Sequence, residues 1–233
     1  MRIDVLTIFP EMVKPVLGQS IVGRAVYENK LDINVIDFRE HSPNKHKKVD
    51  DTPYGGGAGM VLRVEPVVHA LRAIEGHEKA HKIIMTPQGK PYAQADAARL
   101  STHNHIIVLC GHYEGFDERI RAYFDEEISI GDYVLTGGEV AALVLIESTV
   151  RLIPGILNKD ESHQDDSFSE GILEYPHYTR PRVFEGERVP EVLLSGHHKA
   201  IKAWRQKQAI KRTMTRRPDL FERYEKAQKK RGK

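Results

Sequence analysis

The chain has 233 residues, 40% of them hydrophobic, which is enough for a core in one large or two small domains and too apolar for disorder throughout. Its uninterrupted apolar runs, such as residues 140–146, fall far short of the ~20 residues that cross a bilayer. Met1-Arg2-Ile3-Asp4 opens a strand rather than a leader, so a cytoplasmic protein with no membrane partner is expected. The net charge of +2 hides an asymmetry: residues 197–233 carry fourteen Lys/Arg against three Asp/Glu, a tail of +11 on a body of −9. A basic tail on an acidic body points to a polyanionic partner, nucleic acid ahead of an acidic membrane surface, with a solvated helix face as the plain alternative.

Residues 2–9 read as a strand, 10–17 and 21–28 as helices and 31–38 as a second strand. A polar stretch over 39–59 follows and ends in Pro53-Tyr54-Gly55-Gly56-Gly57-Ala58-Gly59, expected as a long functional loop rather than a linker. It does not fit a phosphate-cradling loop: no Gly-Lys-Ser/Thr closes it, and no acidic residue follows a second strand as a dinucleotide fold requires. Next come a helix at 64–74, a strand at 82–85, a helix at 93–101, a strand at 105–110, a helix at 116–123, a strand at 126–130 and a helix at 139–152. Alternation of this kind predicts an α/β domain with a mostly parallel sheet, whose ligands sit at the carboxyl ends of the strands. The loops after Met85, Cys110 and Ile130 fall there.

Two of those loops are punctuated by glycine: Gly111-His112-Tyr113-Glu114-Gly115, and Ser129-Ile130-Gly131-Asp132-Tyr133-Val134-Leu135-Thr136-Gly137-Gly138-Glu139. Glycine lets main-chain groups approach a ligand where a Cβ would collide, so a pocket read largely by backbone is expected, with Tyr113 and Tyr133 as apolar walls. Cys110 is the only cysteine, which rules out an internal disulfide, and its place at the end of an apolar run marks it as a buried small hydrophobe. Twelve histidines offer no His-x-x-x-His pair with a third ligand, so no metal site is expected; His103, His105 and His112 read as loop-edge polar groups.

After residue 153 the composition shifts through Pro154-Gly155 to a polar run at 158–166. The expected division is a ligand-binding domain over 1–157, a flexible linker or lid over 158–170 and a basic helical domain over 171–233, with helices at 190–194, 197–215 and 218–230. On the second of these, Ile201, Trp204, Gln208 and Lys211 share one face, so Trp204 is expected in the core rather than stacked on a base. Lys199, Lys202, Arg205, Lys207 and Arg212 ring the remainder and suit phosphates better than base edges.

The two glycine loops, with Gly111-His112-Tyr113-Glu114-Gly115-Phe116-Asp117-Glu118-Arg119, Pro53–Met60 and Pro176-His177-Tyr178-Thr179-Arg180-Pro181, occur in one order and spacing that resembles the bacterial TrmD family of tRNA (guanine-N1)-methyltransferases. The resemblance runs from Arg2 to the basic helices. It implies a SPOUT-type fold with a deep trefoil knot, a homodimer with active sites at the subunit interface, S-adenosyl-L-methionine as methyl donor and tRNA as partner, methylated on N1 of the guanosine immediately 3′ of the anticodon. Nothing in the periodicity indicates the knot, a topology that general connection rules disfavour. Carried over by position, the donor is held by Ile84, Met85, Thr86 and Pro87, by Gly111, Tyr113 and Glu114, and by Ser129, Ile130, Gly131, Asp132, Tyr133, Val134, Leu135, Gly137 and Gly138. The same mapping makes Asp166 the general base and Arg151 the cation facing guanine O6, and it leaves a Mg2+ requirement open.

The chemistry asks for those residue types. Guanine N1 is protonated at neutral pH, so a carboxylate must remove its proton as the methyl is transferred, and the charge pushed onto O6 calls for a guanidinium. On the residues alone, Asp166 also fits a solvated loop carboxylate or a helix N-cap, and Arg151 fits a cation completing a helix dipole. The Asp166 loop is expected to order on tRNA and to place the base across the dimer interface. Two departures from the family stand out: Ala141 replaces a common proline, and Ile84 a common tyrosine. The competing readings are a non-catalytic RNA-binding relative and a SPOUT enzyme acting on ribose 2′-OH or another RNA base; a ribose enzyme has no need of Asp166.

Overall fold

Alternation along the first strand decides the layering. In chain order the first part of the molecule comprises β1 (Arg2–Thr7), α1 (Pro10–Leu17), α2 (Ser20–Tyr27), β2 (Asp32–Asp37), β3 (Asp50–Asp51), β4 (Val61–Leu62), α3 (Val64–Ala73), β5 (His81–Pro91), α4 (Gln94–Leu100), β6 (His105–Cys110), β7 (Glu126–Ser129) and α5 (Glu139–Val150). In β1, Ile3 and Val5 join a core with α1, α2 and α5, while Leu6 turns to the opposite core with α3. In β6, Ile106, Val108 and Cys110 face the first core and Ile107 and Leu109 the second. Both faces of the sheet are therefore covered, and sealing a side chain of leucine size in either core contributes about 1.5–3 kcal/mol.

The computed structural model describes residues 1–157, 166–169 and 171–231, and the chain divides into the units Met1–Asn158 and Lys159–Lys233. The main sheet has five strands in the order β2-β1-β6-β5-β7, and each neighbouring pair is parallel. This is the α/β class that the alternating pattern predicts. β1 stops at Thr7 rather than at residue 9 because the Thr7 hydroxyl accepts from the Phe9 N–H (2.9 Å) and Pro10 opens α1, where a missing N–H costs nothing.

Three departures concern short elements. The stretch 39–59, expected as a loop, contains β3, which pairs antiparallel with β4 through Asp50↔Leu62. Residues 118–123 form a 3₁₀ helix, not an α-helix, with the Asp117 carboxylate accepting from the Arg119 N–H at its start (3.0 Å). β5 runs past Met85 because Lys90 and Pro91 rejoin β7 after an excursion at 86–89.

In the second unit, the described elements are β8 (Val183–Phe184), β9 (Glu187–Arg188), α6 (Glu191–Leu194), α7 (His198–Arg216) and α8 (Pro218–Arg231). The β8–β9 hairpin lies where sequence showed only a mixed segment. α7 packs on α6 and α8 and buries Ala209 and Thr213, whose hydroxyl donates to Ala209 O (2.8 Å) and accepts from the Leu173 N–H (2.9 Å). Trp204 is not a core residue: it is half-buried, with its ring 6.3 Å from that of Tyr178, and Lys211 on its expected face is exposed. Of the linker expected over 158–170, only 166–169 lie within the described residues.

Candidate active site

The excursion of β5 at 86–89 and the loops that leave β6 and β7 at their carboxyl ends form a cavity of about 310 Å³ in the first unit. From β5 it takes Met85, Thr86 and Pro87; from the loop after β6, Gly111, Tyr113 and Glu114; from the loop after β7, Ser129, Ile130, Gly131, Tyr133, Val134, Leu135, Gly137 and Gly138. Two of the residues expected at the donor do not line it. Ile84 is fully buried in the core on the α3 side, because strand alternation turns it away from Met85, and Asp132 is exposed on its loop.

Main chain holds the two glycine loops together. The Gly138 N–H donates to Gly111 O at 2.8 Å, and His112 and Gly137 form an antiparallel bridge. A Cβ on Gly138 would stand 2.8 Å from Gly111 N and 2.9 Å from Cys110 Cα, so only glycine fits there. Within the second loop, the Ser129 hydroxyl donates to Gly131 O (3.0 Å) and accepts from the Gly131 N–H (3.3 Å). Tyr113 holds φ +58, a left-handed conformation uncommon for a bulky residue, and burial pushes its hydroxyl pKa up. Tyr133 is 55% exposed and Leu135 40%, so apolar side chains stand open at the rim. Close main-chain approach between apolar walls fits an adenosyl group with a charged tail, in a cradle whose two loops meet at Gly138 with no room for a Cβ between them.

Beneath the Gly137-Gly138 turn lies a residue whose place sequence reasoning missed. Glu139 is fully buried, and its Oε1 accepts from the Thr7 hydroxyl at 2.7 Å, linking the end of β1 to the start of α5. Among the described residues its Oε2 has no hydrogen-bond partner, and a Cβ on Gly137 would lie 2.4 Å from it. No local signal marks this pair, which is 132 residues apart in the chain. His112, Phe116, Gln88, Glu118 and Arg121 also line the cavity, although none was assigned to the donor from sequence. Ala141, in place of the family's proline, is buried in the first turn of α5 and lines it too.

Cys110 is sealed under this floor, and burial, with the Glu139 charge nearby, raises its thiol well above the usual range. The native protein is therefore expected to resist a thiol reagent at pH 8 and to react once unfolded by denaturant. Rapid labelling of the native protein would show that the floor opens.

Arg151 is the half-buried C-cap of α5, its N–H donating to Glu147 O at 3.4 Å. Asp166 belongs to the other unit, where it is half-buried and lines a groove with Tyr175, Lys202 and Arg205. The Arg205 guanidinium lies 4.7 Å from the Tyr175 ring centroid. Lys199, Lys202, Arg205 and Lys207 are all exposed on α7, and only Lys202 and Arg205 border that groove. Among the described residues, no group of His, Cys, Asp and Glu is arranged to hold a metal ion, and no helix is long and apolar enough to cross a membrane.

A parallel α/β sheet with a glycine-built cavity at its strand ends, followed in the chain by a basic helical unit, defines the class: an α/β protein with a small-molecule-sized site and a cationic surface. Within that class the chain belongs to one family: the model for tRNA (guanine-1)-methyltransferase TrmD matches residues 1–223. It is 56% identical over 225 residues to a tRNA (guanine-N(1)-)-methyltransferase of Staphylococcus aureus strain MRSA252, covering 96% of this chain and 92% of the relative. The protein of the same name from strain JH9 is 55% identical over the same shares. Membership implies the SPOUT knot and an S-adenosylmethionine methyl donor.

Proposed function

We propose that this protein is a tRNA (guanine-N1)-methyltransferase that moves a methyl group from S-adenosyl-L-methionine to N1 of the guanosine immediately 3′ of the anticodon. The observation that carries the reading is the cavity between the β5 excursion and the loops after β6 and β7, built by glycine contacts in a member of this family. Bound there, S-adenosylmethionine supplies an electrophilic methyl on a positively charged sulfur. The residues from Met85 to Pro87, Gly111, Tyr113 and Glu114, and the lining residues of the loop after β7 would hold and orient it, with main chain suited to polar edges and Tyr133 and Leu135 suited to apolar faces. Asp166 takes the N1 proton, and the Arg151 guanidinium meets the charge that grows on O6, a contact stronger in the transition state than before it. The test is transfer to tRNA transcripts that differ at one position. Replacing the guanosine 3′ of the anticodon by adenosine should abolish methylation, and methylation that persists would contradict the assignment.

The enzyme acts as a homodimer in this proposal, with each active site at the interface. Support comes from an apolar surface on packed neighbours: Met12 and Val16 of α1 are 46% and 53% exposed, and Val140 and Val144 of α5 are 49% and 43%. A solvated monomer gains nothing from such a patch. Val144→Glu should convert dimer to monomer in sedimentation equilibrium and remove methyl transfer with it; a variant that sediments as a dimer would place the interface elsewhere.

The basic face of α7 grips the tRNA backbone. Changing Lys199, Lys202, Arg205 and Lys207 together to glutamine should weaken tRNA binding and reduce the salt slope by about 3, since each phosphate contact contributes close to one counterion. An unchanged slope would remove these residues from the interface.

A further inference from the structure

Sequence reasoning gave no role to Arg121, yet its guanidinium ties together three segments at the donor cavity. Both Met85 and Lys90 of β5 pair with Ile128 of β7, so residues 86–89 are thrown out of the ladder. The re-entry is tight: a Cβ on Gly89 would lie 2.5 Å from Ile128 N. Thr86, Pro87 and Gln88 of this excursion line the cavity, and so do Phe116, Glu118 and Arg121 across from them. Arg121 Nη2 donates to Gln88 Oε1 at 2.7 Å, and Nε donates to Glu118 Oε2 at 2.8 Å. Nη1 forms an ion pair with Glu127 on β7, and the guanidinium lies 5.1 Å from the Phe116 ring centroid. Each nitrogen of the fork is thus engaged by protein, and its side chain is only 22% exposed.

A guanidinium so occupied is a clamp rather than a cation held ready for a ligand's carboxylate. Four residues without ladder partners would otherwise be held over the cavity chiefly by their two ends, and the Gln88 amide gives Arg121 a grip on their crest. We infer that Arg121 is a positioning residue of the donor site: by holding Gln88 it keeps the 86–89 excursion closed over the bound donor and slows its release. The inference rests on the cavity being the S-adenosylmethionine site. It makes Arg121 and Gln88 one device, so their effects must not add.

The test is a double-mutant cycle read by calorimetric affinity and stopped-flow release of S-adenosylhomocysteine, using the full-length protein. Arg121→Leu and Gln88→Ala should each weaken binding about tenfold, the scale of one charge-assisted hydrogen bond, mostly through faster release. The double variant should be no weaker than Arg121→Leu. Arg121→Lys keeps a charge for Glu127 but loses the fork, and it should behave like Gln88→Ala. In steady state the KM for S-adenosylmethionine should rise by a similar factor while kcat stays within about twofold, a split that general loosening of the fold would not give. Additive single effects, or Gln88→Ala with wild-type affinity and release, would overturn the clamp while leaving the donor site standing. A wild-type protein that binds no donor would remove the underlying reading, and the clamp with it.

Discussion

Replacing Asp166 with alanine should slow methyl transfer to tRNA by about 10²–10⁴-fold, the usual worth of a positioned general base, while leaving donor affinity unchanged. The proton on guanine N1 has to leave as the methyl arrives, and no solution species near pH 7 does this as well as a carboxylate held in place. Asp166 is half-buried, beside Tyr175, Lys202 and Arg205 in its own unit, and it lies outside the unit that contains the cavity. On the proposed mechanism, loss of the carboxylate removes the proton acceptor and leaves every residue that lines the cavity in place. The residual rate of the variant should climb with pH, because deprotonation of N1 by solvent then supplies what the side chain did. Single-turnover kinetics over a pH series, with donor binding measured alongside, separates these effects. An alanine variant with near wild-type turnover would favour chemistry at a ribose hydroxyl.

The second large effect is steric. Gly138 has φ −81, which any residue can adopt, so a substitution there is opposed by space alone. The obstacle is backbone: Gly111 N at 2.8 Å, Cys110 Cα at 2.9 Å and Cys110 C at 3.2 Å from an added Cβ. None of these can rotate aside, and the 2.8 Å bond from the Gly138 N–H to Gly111 O holds the two loops at that separation. Gly138→Ala must push the loop after β7 away from the end of β6, at about 1–3 kcal/mol of stability, the common cost of overpacking. The cavity loses its floor in the same movement, so donor binding should fall below detection in calorimetry although the protein still folds. Gly18→Ala is the matched control. Gly18 has φ −80, and its nearest obstacle is Lys14 O at an ordinary 3.5 Å, so donor affinity should not change. Wild-type donor affinity in Gly138→Ala would mean that these loops do not form the site.

What could be read in the sequence followed the strength of local pattern. β1, β6 and α1 carry long apolar runs or sharp starts such as Pro10, and their places follow from periodicity. The segments after Met85, Cys110 and Ile130 could be assigned to one end of the sheet because parallel strands align their carboxyl ends. β3, β8 and β9 could not be read, since two residues are too few for a period of two to show. The return of Lys90 to β7 was hidden behind Pro87 and Gly89, which look like the end of a strand. Period-two alternation separates Ile84 from Met85 and so places the two side chains in opposite cores, a division legible in the sequence. The contacts of Thr7 with Glu139 and of Arg121 with Gln88 join distant segments, and only the folded chain reveals them. The family resemblance supplied roles for Asp166 and Arg151 that their local sequence left undecided.

The proposed function has one protein hold the donor and methylate one nitrogen of one guanosine. Its most direct test is transfer of labelled methyl from S-adenosylmethionine to an unmodified tRNA transcript, followed by digestion, identification of the nucleoside and mapping of its position. A single product is expected, 1-methylguanosine immediately 3′ of the anticodon. Label recovered on a ribose, on another base or at another position would contradict it.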